Sequence, residues 1–184
     1  MDLADYFARQ LTSTLEGFAG AIEQIPAERR HQSPPSPNRL GQWSPARHVF
    51  HLLTYEHEVA LPSMRHWLGG PKPDDARFVN EDASWDAEGA GQSIEAFLQQ
   101  LRAVRAEQIS LLPRFSSAAW ETVRDPIPAW RPVTLRWIVT KTLQHTAEHT
   151  NDALRLVIFW DWALQDATSE ANAASATPRA HTPE

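Results

Sequence analysis

The chain has 184 residues, no cysteine, and 17 basic against 23 acidic side chains, a formal charge of −6 at pH 7. The length suits one domain with a sizeable core, and a 42% hydrophobic content is that of a globular chain. The missing cysteine excludes disulfides, thiolate catalysis and cysteine-ligated zinc or iron–sulfur. The acidic balance, with no basic grouping larger than Arg29-Arg30-His31, argues against a nucleic-acid partner.

The first residues carry neither a basic leader nor an apolar core of the secretory kind. No apolar stretch is long enough to span a bilayer. The expectation is a cytoplasmic protein without a membrane partner.

The first helix is expected from Leu3 to Ile25. Leu3, Tyr6, Phe7, Leu11, Leu15, Phe18, Ile22 and Ile25 recur at the helical period, and Pro26 stops the run. The prolines of residues 31–42 make a loop. Ser44-Pro45 opens the second helix, since serine caps free amides and proline suits the first helical position. Trp43 is placed to pack back on its first turns. Pro62 kinks or ends this helix near Leu61, and Gly69-Gly70 closes a further turn.

Residues 71–90 read as a long connection, and a connection of that length is often functional. A third helix follows over Ser93–Leu112, then a Pro- and Trp-rich connection over residues 113–132. The fourth helix is expected from Val133 to Leu164. Its core seam is Ile138, Thr142, His145, His149, Asp152 and Leu156. Residues 1–166 then form the domain and 167–184 a disordered tail rich in Ala, Ser, Thr and Pro. No strand pattern competes. The fold class is all-α, a four-helix bundle with crossover loops.

Histidine placement carries the chemistry. His145 and His149 lie one turn apart on a core-facing seam, close enough to share an ion. Buried imidazoles need partners or a metal. Asp152 extends the seam, either to hydrogen-bond a ligand's distal nitrogen or to reach the ion. His48 and His51 are both candidates for a third ligand. Helical periodicity leans slightly to His48, beside Leu52 and Val59. Glu56 lies on the buried side of the same helix, as a ligand's orienter or an arginine's partner.

The string His145-Thr146-Ala147-Glu148-His149 also fits the inverted zinc-peptidase pattern H-x-x-E-H, with Glu148 as base. Against peptidase chemistry, little chain remains after His149 to supply a distant carboxylate ligand. Glu148 also points away from the direction midway between the two histidines.

Together these motifs resemble the DinB/YfiT-like metal-dependent superfamily. The helix start Trp43-Ser44, with a histidine eight residues after the tryptophan and Glu56 nearby, is similar to its second-helix signature. Residues Leu143–His149 are similar to its late H-x-x-x-H motif. Where relatives often continue Gly-Gln, this chain has Asn151-Asp152. The resemblance implies a four-helix bundle holding a divalent metal, zinc or nickel first, on His51, His145 and His149. It selects His51 over His48. It also implies a small-molecule enzyme, a transferase using a low-molecular-weight thiol (mycothiol, bacillithiol or glutathione) or a hydrolase, with a non-catalytic metal-binding or stress-response module as the alternative.

Glu148, Asp152, Glu56 and Tyr55 are the acid–base candidates. Arg47, Arg131 and Arg136 are candidates for holding a thiol cofactor. Trp120, Trp130 and Trp137 are candidate pocket walls. A homodimer is expected by the same resemblance.

Overall fold

The computed structural model describes residues 2–126 and 131–176. Nine α-helices occur among them: α1 (Leu3–Glu23), α2 (Pro37–Leu40), α3 (Pro45–Tyr55), α4 (Leu61–Trp67), α5 (Ala76–Val79), α6 (Glu81–Ser84), α7 (Ile94–Leu111), α8 (Ser117–Glu121) and α9 (Leu135–Ala176). The bundle consists of α1, the α3–α4 arm, α7 and α9. Helix α1 packs on α9 and on α7, while α3 packs on α7 and on α9.

Local chemistry sets the helix starts. The Asp2 carboxylate accepts from the Ala4 amide at 3.4 Å to cap α1. Ser44 Oγ accepts from the Arg47 amide at 3.2 Å, and Pro45 takes the first helical position of α3. Ser93 caps α7 in the same way. The bundle core is built from Phe7, Leu11, Phe18 and Ile22 of α1, Leu52 of α3, Phe97 and Leu101 of α7, and Ile138, Leu156 and Trp160 of α9.

The expected break at Pro62 is a different feature. Helix α3 runs into α4 through one π-turn, Glu56–Ala60. Proline cannot donate to the carbonyl four residues back, and a widened turn just before it absorbs that mismatch. Helix α4 ends as the glycine pair predicts. Gly69 takes φ 93°, its amide reaches the His66 carbonyl at 3.1 Å, and the Gly70 amide reaches the Arg65 carbonyl at 2.9 Å.

The 71–90 connection is largely ordered into turns. It carries α5, α6 and a second π-turn, Trp85–Gly89. A Cβ on Gly89 would stand 2.3 Å from the Trp85 ring, so only glycine fits there.

Two sequence expectations change. The second connection contains a two-residue antiparallel ladder, β1 (Val123–Arg124) with β2 (Val133–Thr134), which no alternation pattern announced. The last helix continues past Leu164 to Ala176, so the expected irregular tail is helical over 167–176. Residues 177–184 lie outside the described residues, as does Trp130. No helix among the described residues is long and apolar enough to cross a membrane.

One buried polar network ties the bundle together. Glu56 is fully buried and forms a two-pronged ion pair with Arg105, through Nε at 2.8 Å and through Nη2. Arg105 also donates to the Leu11 carbonyl at 2.7 Å and to Thr146 Oγ1 at 2.9 Å. A single guanidinium therefore joins α1, α7, α9 and the π-turn after α3.

Candidate metal centre

The site forms where the first turns of α3 face the middle of α9. The Ala46 amide, free of any helical partner, donates to the Arg30 carbonyl at 2.8 Å and ties the start of α3 to the loop after α1. From there His51 projects toward His145 and His149. Ligand atoms of these three histidines lie within 4.8 Å of one another. His51 Nε2 is 2.9 Å from His145 Nε2, and His149 Nε2 is 3.2 Å from the same atom. Two imidazole nitrogens on one tetrahedral zinc stand about 3.3 Å apart. The observed spacings are close to that.

Proton counting also favours a cation here. His51 Nδ1 lies 2.7 Å from Glu81 Oε2, so it carries the proton and leaves Nε2 bare. His149 Nδ1 lies 2.8 Å from His48 Nδ1, and with His149 as the donor of that contact its Nε2 is bare too. One N–H on His145 Nε2 cannot satisfy both neighbours well. An ion among the three satisfies every lone pair.

Burial favours the neutral form of His145, His149 and His48, and metal ligation requires neutral imidazoles. Burial lowers the His149 pKa to about 2, with help from the charges of His48, His145, His51 and Lys141. It lowers His145 to about 3, assisted by His51 and Lys141, and His48 to about 4, assisted by His51 and Arg47. Asp152 is shifted upward by burial and by Glu148, against Arg155.

Carboxylate and aromatic support surrounds the ligands. Glu81 Oε1 is 2.8 Å from Arg47 Nη1, and Arg47 Nη2 donates to Asp82 at 2.7 Å. The Arg47 guanidinium also lies over the rings of Trp43, Phe50 and Trp85. Trp43 stacks on His149 with ring centroids 6.0 Å apart and tilts over His51 at 4.8 Å. Tyr55 meets the His145 ring edge-on at 4.6 Å. A cavity of about 210 Å³ opens beside His51, between Trp43, Arg47, Phe78, Val79, Glu81 and Asp82. A cavity of about 300 Å³ lies between α3 and α7, but it contains no residue of the cluster.

A family model of the DinB superfamily matches residues 10–153. The chain belongs to the DinB superfamily. It matches no curated protein and no solved structure. The matched span holds every histidine of the cluster, and the all-α bundle is the fold the resemblance implies.

The other expected residues fall in several places. Periodicity leaned to His48 as the third ligand; it is buried and meets the far nitrogen of His149, while the grouping with both His145 and His149 contains His51. Asp152 Oδ2 is 3.8 Å from His149 Nδ1, too far for the expected hydrogen bond, and His48 takes that place. Glu56 is the arginine partner, engaged with Arg105 and away from the cluster. Glu148 is exposed, bonded to Gln144 and 3.6 Å from Lys141, which leaves the peptidase pattern without its base.

Arg47 is buried in its pair with Glu81 and lines the cavity beside His51, whereas Arg136 pairs on the surface with Glu121 and is not among that cavity's lining. Arg131 is exposed in the connection before β2. Trp120 stacks on Phe7 in the core, and Trp137 is half exposed; neither lines the cavity beside His51.

Glu81 was not foreseen. Its only sequence signal is an acidic residue in an over-long connection, and its partner His51 lies thirty positions earlier.

Proposed function

We propose that this DinB-superfamily protein is a divalent-metal-dependent enzyme acting on a small molecule, by thiol transfer or by hydrolysis. The observation that carries the reading is the convergence of three imidazoles, His51, His145 and His149, in a grouping that holds neither Asp152 nor Glu56. Structural zinc usually has four protein ligands, whereas catalytic zinc keeps a place for water or substrate. Imidazoles suit zinc and nickel. Such an ion supplies Lewis acidity, which acidifies a water or a thiol.

The chain's own residues do the rest. Glu81 holds the His51 proton on Nδ1 and turns Nε2 inward, and Arg47 fixes Glu81 from behind. Trp43 and Phe78 lie against the His51 ring and give the cavity apolar walls. Of the three carboxylates considered for proton transfer, Asp152 alone stands beside the cluster. It lines a second opening of about 130 Å³ with His48 and Trp43. Its raised pKa suits a group that carries a proton.

The test is turnover of an activated aryl ester, and of an electrophilic aryl halide with glutathione, by zinc-loaded, nickel-loaded and chelated protein. Metal-dependent turnover is expected, and a thiol requirement separates transfer from hydrolysis. Full metal occupancy without turnover on a wide panel of such substrates would favour a metal-binding module instead.

A further inference from the structure

We infer that His48 is a positioning residue for the metal ligand His149, and that it acts through its Nδ1 as a hydrogen-bond acceptor. The inference rests on the three-histidine metal reading and adds a residue to it. His149 presents Nε2 to His145 at 3.2 Å and Nδ1 to His48 Nδ1 at 2.8 Å. A histidine that ligates through Nε2 carries its proton on Nδ1. The facing His48 Nδ1 is then bare and accepts that proton's hydrogen bond. His48 in turn carries its own proton on Nε2.

Ligating histidines elsewhere usually donate to a carboxylate, a carbonyl or water. Here His51 follows that rule with Glu81, while His149 donates to a neutral imidazole. The nearest carboxylate oxygen to His149 Nδ1, on Asp152, stands 3.8 Å away. His145 Nδ1 is buried with no hydrogen-bond partner among the described residues, so His149 is the ligand of α9 with a built acceptor. His48 is itself held by burial and by edge contact with Trp43, whose ring stacks on His149. Ser44 and Pro45, which fix the first turn of α3, therefore fix His48 and through it the orientation of a ring on α9.

The experiment compares zinc and cobalt affinities of wild type, His48→Phe and His48→Asn by competition with a chromophoric chelator. Chemical unfolding of each chelated protein runs alongside. Phenylalanine keeps an aromatic ring and removes the acceptor. Asparagine places its amide oxygen the same number of bonds from the backbone as Nδ1. The expected result is an affinity loss of about 10- to 100-fold for His48→Phe. His48→Asn should recover most of it, with metal stoichiometry unchanged in both. A His48→Phe protein that binds as tightly as wild type overturns the inference alone, as does an equal loss in both variants. A folded wild type that takes up neither metal overturns the metal reading on which it rests.

Discussion

Glu81 Oε2 lies 2.7 Å from His51 Nδ1, on a carboxylate whose other oxygen is 2.8 Å from Arg47. The two residues come from different elements, α6 and α3, and meet only because the 71–90 connection folds back over the start of α3. The contact orients one candidate ligand and ties the connection to the histidine cluster.

Glu81→Gln should therefore weaken zinc binding by about 10- to 100-fold while leaving a folded helical bundle. A chelator competition titration checks it. Glu148→Ala, by contrast, removes an exposed side chain and should change neither metal affinity nor, beyond about 0.5 kcal/mol, stability. Equal effects from the two variants would contradict the assignment of Glu81.

The buried pair between Glu56 and Arg105 makes a separate claim. Arg105→Met leaves the Glu56 carboxylate at 0% exposure without its partner. It should cost roughly 3–5 kcal/mol of stability, read as a lower urea midpoint. Replacing Glu56 by leucine in the same protein should restore part of the loss, because a fully apolar pair leaves no stranded charge. A single variant as stable as wild type would contradict the network's role.

Acid should destabilise the metal-free protein through its histidines. His48, His145 and His149 are held near pKa 4, 3 and 2, against about 6.5 in an unfolded chain. Between those limits the unfolded chain binds more protons than the folded one. The stability these groups contribute is present above pH about 6.5 and is lost as pH falls below it. Urea midpoints in chelator should therefore drop from about pH 7 to about pH 5. Replacing His149 by Phe should flatten that dependence, and a dependence unaltered by the replacement would assign it elsewhere.

The bundle was legible because its long helices obey one period. Phe7, Leu11, Phe18 and Ile22 of α1, and Ile138, His149 and Leu156 of α9, are buried as that period requires. Periodicity ranks faces, however, and does not report which atoms meet. It favoured His48 for depth, and His48 is indeed the more buried. Which ring can join both histidines of α9 depends on atoms rather than faces, and the grouping with both of them contains His51, whose Nε2 lies 2.9 Å from His145 Nε2. The match of residues 10–153 to the DinB superfamily supports the order of motifs behind that choice.

What the sequence hid has tertiary causes. Glu81 joins the site through a folded connection, where no period operates. The ladder between Val123 and Thr134 is too short for alternation to show. The extension of α9 to Ala176 runs through alanine-rich sequence, in which intrinsic helix preference offsets the missing apolar face.

The central claim is that His51, His145 and His149 hold a divalent ion. Its most direct test is metal per chain by elemental analysis, for wild type and His149→Ala, after incubation with zinc or nickel and removal of the excess. About one ion per folded wild-type chain, lost in the variant, is the predicted result. A folded wild type without bound metal, or a His149→Ala protein that retains it, would contradict the account.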